Sequence, residues 1–181
     1  MRRTTSGIAR LIFAVVSVAG LTGCRPPLPG EVSDVSRYEE ILGQFGHYPP
    51  TAHFPTSISS EARDAHFYFL PNLLQGGNIL QLRLGLPAEG IQASLHHYGP
   101  LAIRTYYGGG SNDHRNLPDG LPTTFFYTSD DGGGPFPDTY QVLLLGADDW
   151  GSPTHPWNHG YTYGVAIDQT VDEIVYWYED W

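Results

Sequence analysis

Residues 79–86 carry the pattern that most limits what this chain can fold into. Every second residue of this segment is leucine, and the residues between are isoleucine, glutamine, arginine and glycine. Successive side chains of a strand point to opposite faces, so a period of two predicts a strand with one apolar and one partly polar face. We therefore expect a sheet whose leucine face is covered by other elements.

Other short runs of apolar and aromatic residues, bounded by turn residues, predict further strands. They lie at 66–70, 101–107, 123–128, 140–145, 161–167 and 173–178. Helices are predicted at 34–45 and 87–98, where apolar residues recur three and four apart and Gly46 and Gly99 stand at the ends. Because strands and helices do not alternate regularly, we predict an α+β fold: a mainly antiparallel sheet of about five to seven strands with two helices packed on one face.

The amino-terminal 24 residues carry a separate pattern that concerns export. Arginines at positions 2, 3 and 10 flank or precede an apolar run, 11–21, which ends in Leu21-Thr22-Gly23-Cys24. This order is typical of a secretory signal peptide, and the run is too short for a membrane span, which needs about 20 helical residues. The last four residues resemble the lipobox of bacterial lipoproteins, which implies cleavage before Cys24 and acylation of that residue, with palmitate among the usual chains.

The resemblance divides the chain into a signal peptide (1–23), a lipidated tether (24–33) and a single globular domain (34–181). Two or three acyl chains on Cys24 make a durable anchor, whereas one chain binds a membrane only marginally. In related lipoproteins an aspartate after the cysteine retains the protein in the inner membrane, and Arg25 stands at that position. The resemblance thus points to the outer membrane if the organism has one, and otherwise to the outer face of the cell membrane.

The composition of the mature chain excludes several classes of function. Cleavage before Cys24 leaves 158 of the 181 residues, with no lysine and with six arginines against 19 acidic residues, a formal charge of −13. So acidic a chain lacks the basic surface that nucleic-acid binding requires. Beyond Cys24 there is also no thiol and no lysine for covalent catalysis.

Residues 148–159 contain the best candidates for metal binding. Two carboxylates are followed by two histidines four residues apart, which are the ligand types that zinc and related metals prefer; they are Asp148, Asp149, His155 and His159. Pro153 and Pro156 prevent a helix that would place both histidines on one face, and no His-Glu-x-x-His motif is present. We therefore favour an ordered loop, and predict neither a metal site nor a cofactor.

A second acidic group, Asp130-Asp131, precedes three glycines. Calcium loops space their carboxylates through the loop, so adjacent aspartates before glycines are more typical of a turn. We interpret this segment as a turn.

These features favour a membrane-anchored envelope lipoprotein with a non-catalytic binding or structural role. Its expected partners are the membrane, through the acyl chains on Cys24, and an envelope protein or a glycan. One alternative is a tethered hydrolase that acts on cell-wall or other polymer with carboxylates or a metal. Another is a glycan-binding module that uses exposed aromatic side chains, with Trp150, Trp157 and Tyr161 as candidates.

Overall fold

The computed structural model describes residues 30–71, 77–108 and 121–181, which form two α-helices and a six-stranded sheet. Helix α1 spans Tyr38–Gln44 after a 3₁₀ turn at Val35–Arg37, and α2 spans Ala88–Tyr98 before a 3₁₀ turn at Gly99–Leu101. A further 3₁₀ turn lies at Pro49–Thr51. The strands are β1 (Arg63–Leu70), β2 (Ile79–Gly85), β3 (Arg104–Tyr107), β4 (Gln141–Asp149), β5 (Gly160–Asp168) and β6 (Glu173–Asp180). The predicted α+β fold is confirmed.

The sheet is antiparallel throughout, in the order β1-β2-β6-β5-β4-β3. The last strand of the chain, β6, is thus an interior strand. Tyr176 of β6 faces Leu82 of β2 on one side and Val165 of β5 on the other. The two halves of the sheet therefore meet through β6, and β1 and β3 form its two edges.

Both helices pack on one face of the sheet, as predicted. The alternating leucines of β2, from Leu80 to Leu84, lie in this core with Ile91 of α2 and Tyr38 of α1. The Tyr38 ring meets Phe67 of β1 edge to face, with ring centroids 5.5 Å apart. The period of two in the sequence thus corresponds to a strand buried on its leucine face.

The opposite face is covered by residues 121–140, which we call the covering segment. The strand predicted at 123–128 is wrong, because these residues join no strand of the described sheet. Their polar groups bond instead to Gln81 of β2: the Thr128 N–H and hydroxyl both donate to its Oε1 at 2.8 Å, and its Nε2 donates to the Phe125 carbonyl at 2.9 Å. The buried side chain of Gln81 therefore supplies hydrogen bonds that a neighbouring strand would otherwise supply.

Aromatic packing holds the covering segment against the sheet. Phe126 stacks on Phe136 with centroids 4.7 Å apart, and both rings contact Tyr140. These rings form a second core with Val142 and Val175. The residue types that raise β propensity at 123–128 are thus used for burial, which is what that propensity largely measures.

Most element boundaries differ from the predicted ones by a few residues, and two of the differences have a clear physical reason. The strand expected from residue 101 begins at Arg104, because Gly99–Leu101 continues α2 as a 3₁₀ turn. Val32 lies within the predicted tether, 24–33, yet pairs with Phe69 of β1, so regular contacts begin before residue 34. The predicted signal peptide and Cys24 lie outside the described residues.

His53 is an ionisable group within the core of the helix-covered face. Its Nε2–H donates to the Gly164 carbonyl at 3.0 Å, and its ring lies against Phe54, Tyr163 and Tyr176. Burial lowers the pKa of His53 to about 4, because the surrounding rings solvate an imidazolium poorly. The neutral form is therefore the folded form.

Replacement of Gln81 by leucine should destabilise the protein, because the Thr128 N–H and hydroxyl would stay buried without their acceptor. We expect a loss of about 2–4 kcal/mol in the free energy of unfolding, measured by urea denaturation. The matched control is Gln92→Leu, which removes an exposed bond to Gln169 and should change stability by less than about 0.5 kcal/mol. Equal effects of the two substitutions would contradict the role assigned to Gln81.

Stability should fall as the pH is lowered from 6.5 to about 4, because the unfolded state binds a proton at His53 that the folded state excludes. The loss of stability reaches about 3 kcal/mol at the lower end of this window, and stability is fully retained above pH 6.5. His53→Gln keeps a donor for Gly164 without a titratable ring and should flatten the pH dependence relative to the wild type. The same substitution at the exposed His47 is the control, and a flattened profile there would count against this assignment.

Candidate functional site

One long edge of the sheet is open at β1. The Phe69 N–H donates to the Val32 carbonyl at 2.9 Å, and the Val32 N–H donates to the Phe69 carbonyl at 2.8 Å. Backbone groups two residues apart in a strand point the same way, so the N–H and C=O of Phe67 also face outward. No residue of the described ranges bonds to them from that side.

The pairing stops after Val32 because the chain turns into a helix. The Asp34 carboxylate accepts a hydrogen bond from the Ser36 N–H at 3.0 Å and so caps the 3₁₀ turn that precedes α1. This bond holds the pKa of Asp34 below its ordinary value, and the side chain stays ionised at neutral pH. A capped turn therefore begins where a longer strand would cover Phe67.

A groove lies in front of this open edge. It has a volume of about 900 Å³ and is bounded by three segments: the chain before α1, the outer side of β1 and the turn near residue 130 of the covering segment. We call it the β1 groove. Its walls are formed by Glu31, Ser33, Asp34, Val35, Ala65, His66, Phe67, Tyr68, Tyr127, Thr128, Ser129, Asp130, Asp131 and Gly132.

The β1 groove is acidic. Four carboxylates line it, two from each wall, and no arginine is among its described lining residues. Arg83 reaches Asp130 from the sheet, with 2.9 Å between its guanidinium and the carboxylate, and this bond holds the pKa of Asp130 below its ordinary value. The guanidinium also lies 5.7 Å from the centre of the Phe126 ring. Arg83 thus holds Asp130 in place in the wall that the covering segment forms.

Tyr68 and Tyr127 join β1 to the opposite wall. Their rings are stacked, with centroids 5.0 Å apart and an angle of 9° between planes. Tyr68 is buried, whereas Tyr127 is only half-buried. The groove therefore combines an open strand edge, an aromatic surface and negative charge.

The predicted metal ligands lie in the connection between β4 and β5, which we call the hairpin loop (150–159). The Asp149 carboxylate accepts hydrogen bonds from the N–H groups of Gly151 (2.7 Å) and Trp157 (2.9 Å). Asp148 accepts from the Trp150 indole at 2.8 Å. Both carboxylates therefore bond to groups of the loop, which matches the ordered loop that we favoured.

The histidines of the hairpin loop do not complete a metal site with these carboxylates. The ring of His155 bonds through Nδ1 to the Thr154 hydroxyl at 3.0 Å, and His159 is exposed. In the described ranges, no three His, Cys, Asp or Glu side chains lie close enough together to hold a metal ion. The geometry thus offers no support for the metal-dependent hydrolase.

Asp130 and Asp131 lie in a turn, as predicted, but their position on the β1 groove was missed. The sequence shows a turn at these residues and a helix start at Asp34, and neither pattern indicates that the two segments flank the same strand. The residue pattern of β1 does not show that it is an edge strand, because that depends on the order of the strands in the sheet. The residue predicted to carry the lipid, Cys24, lies outside the described residues, and within those residues no helix is long and apolar enough to cross a membrane.

Asp149→Ala should loosen the hairpin loop, because the N–H groups of Gly151 and Trp157 lose their shared acceptor. We expect amide exchange at these two residues to accelerate about tenfold, equivalent to about 1.4 kcal/mol of local opening. Asp149→Asn keeps an acceptor oxygen and should exchange like the wild type. The carboxylate would instead bind a metal if two results were found together: amide exchange in Asp149→Asn as fast as in Asp149→Ala, and the same acceleration when a chelator is added to the wild type.

Both regions present groups through which another molecule can bind. The β1 groove can receive an extended chain, and the hairpin loop presents an exposed indole, Trp150. Comparison of the chain with protein-family models, with curated proteins and with solved structures found no match.

Proposed function

We propose that this protein is a lipid-anchored envelope protein that binds, without catalysis, an extended basic segment of a partner protein in the β1 groove. The observation that carries the proposal is the outward-facing backbone of Phe67 at the floor of an open groove. An extended peptide that pairs with these groups would lengthen the sheet by one strand, a common mode of peptide recognition.

The exposure of this edge supports a binding role. Soluble proteins usually protect sheet edges with charges, prolines, bulges or covering loops, because free N–H and C=O groups pair readily with other chains. On β1, Val32 protects only Phe69, and the bulge between Arg63 and His66 protects the other end. The central part of the strand remains open to an incoming chain.

The charge of the groove indicates the partner. Four carboxylates would attract arginine and lysine side chains. In an extended peptide, side chains at every second position lie on the same side. A second copy of this chain is a poor occupant, because the mature protein carries a formal charge of −13. A segment with a basic residue at every second position fits both the pairing and the charge.

The anchor places this activity at a membrane surface. If Cys24 is acylated, as the lipobox resemblance implies, the seven residues between it and Val32 keep the groove near the bilayer. Its partner then lies in the envelope. The hydrolase alternative gains no support, because the carboxylates singled out for it bond to their own loop.

The proposal is tested with the full-length protein in detergent and a fluorescent decapeptide of alternating arginine and valine. We expect a dissociation constant of about 1–100 μM, rising several-fold as the salt is raised from about 0.05 to about 0.5 M. The double variant Asp34→Asn and Asp131→Asn keeps the helix cap and should bind about three- to tenfold more weakly. Its matched control, Glu89→Gln and Asp172→Asn, makes the same charge change away from the groove and should bind like the wild type.

Hydrogen exchange distinguishes strand addition from loose electrostatic binding. The peptide should slow exchange of the Phe67 amide, whereas the Phe69 amide is already bonded to Val32 and should change little. Binding without protection of Phe67, or binding that both double variants weaken equally, would overturn the proposal.

A further inference from the structure

We propose that the hairpin loop forms a carbohydrate-binding surface whose platform is the outer face of the Trp150 ring. This site is independent of the β1 groove, because strands β2, β6 and β5 separate β1 from β4, where the loop begins. Trp150 is 56% exposed, whereas Trp177 of β6 is fully buried. Tryptophan side chains are enriched at binding surfaces, because they combine an apolar body with a polar N–H.

The Trp150 ring is held in one orientation. Its Nε1–H donates to Asp148 Oδ2 at 2.8 Å, and its backbone N–H donates to the His159 carbonyl at 2.8 Å. The ring packs edge to face with Tyr161 of β5, with centroids 5.4 Å apart and an angle of 69°. Since these contacts already restrict the side chain, a ligand need not order it on binding.

The backbone of the hairpin loop is held in a strained form. Trp157 has φ of +58°, a conformation that bulky side chains rarely adopt. Its N–H donates to Asp149 at 2.9 Å, and its carbonyl accepts a hydrogen bond from the Trp181 indole at 2.6 Å. Strain of this kind persists where surrounding contacts enforce it, and it is concentrated at binding and catalytic sites.

The surroundings of Trp150 favour a sugar over a protein partner. The neighbouring side chains of the loop are polar and exposed; they are Asp148, Asp149, Ser152, Thr154, Asn158 and His159. Protein interfaces usually place an aromatic anchor within an apolar, charge-depleted centre. A pyranose instead presents a flat face of C–H groups, rimmed by hydroxyls. The C–H groups are attracted to the negative face of an indole, and the hydroxyls can donate to nearby carboxylates and amides.

The contact with Tyr161 also disfavours a cation cage. An aromatic cage encloses its cation between rings that stand apart, with the cation over ring faces within about 6 Å. Trp150 and Tyr161 touch each other, so no ligand fits between them. The exposed indole lies beside Asp148, whose Oδ2 accepts its Nε1–H. A sugar laid on the indole can donate a hydroxyl to the other carboxylate oxygen, Oδ1.

The site is tested by calorimetry on the full-length protein in a polyoxyethylene detergent, since detergents with sugar headgroups would compete. Chitotetraose and cellotetraose serve as probes, because their equatorial substituents leave flat C–H faces. We expect at least one of them to bind with a dissociation constant of about 0.1–1 mM. Trp150→Ala and Trp150→Leu should each weaken binding at least tenfold, and the leucine variant shows that apolar bulk alone does not suffice.

The matched control is Tyr107→Ala, which removes another exposed aromatic ring, 74% exposed, on β3; it should bind like the wild type. Melting curves check that each variant is folded. Asp148→Asn keeps an acceptor for the indole, so it should reduce sugar binding only a few-fold. Absence of binding by both sugars, unchanged binding by the Trp150 variants, or binding of tetramethylammonium alone would overturn the proposal. None of these outcomes depends on whether the β1 groove binds peptides.

Discussion

The pairing of β6 with β2 on one side and β5 on the other holds together the two halves of the sheet. Its partners are far apart in the chain, since Tyr176 lies between Leu82 and Val165. Contacts of this separation carry a loop-closure cost in entropy before they stabilise the fold. Both apolar cores include residues of β6. The helices and the covering segment therefore have a complete sheet surface to pack against only when β6 is paired.

The two faces of the sheet differ in polarity and in the elements that cover them. The helix-covered face is apolar and aromatic, with His53 kept neutral among its rings. The opposite face carries the polar side chains of β2, and each of them bonds to the covering segment. Gln81 satisfies its backbone, and Arg83 bonds to Asp130 at its turn. The wall of the β1 groove thus depends on a strand that does not line the groove.

Both proposed binding surfaces lie where the sheet ends. The β1 groove exists because Asp34 caps a turn instead of continuing a strand, so that no described residue pairs with Phe67 on that side. The hairpin loop extends beyond the ladder of β4 and β5 and is tied by Asp149. A sheet interior satisfies its own backbone, whereas an edge and a hairpin end leave groups for other molecules. If the protein is tethered and both surfaces bind as proposed, it is suited to joining a partner protein and a glycan near a membrane.

Local patterns were enough for much of this structure. The alternating leucines of β2, the spacing of apolar residues in both helices and the α+β class followed from the sequence, because periodicity reflects which side of an element is buried. The export signal that ends at Cys24 rests on the sequence alone and stays a prediction. Residues 123–128 show the limit: their composition favours a strand, but the side chain of Gln81, distant in the chain, takes up their hydrogen bonds. Strand order, the open edge of β1 and the meeting of Asp34 with Asp130 across a groove were decided by tertiary structure alone, because they depend on contacts between segments that no local pattern connects.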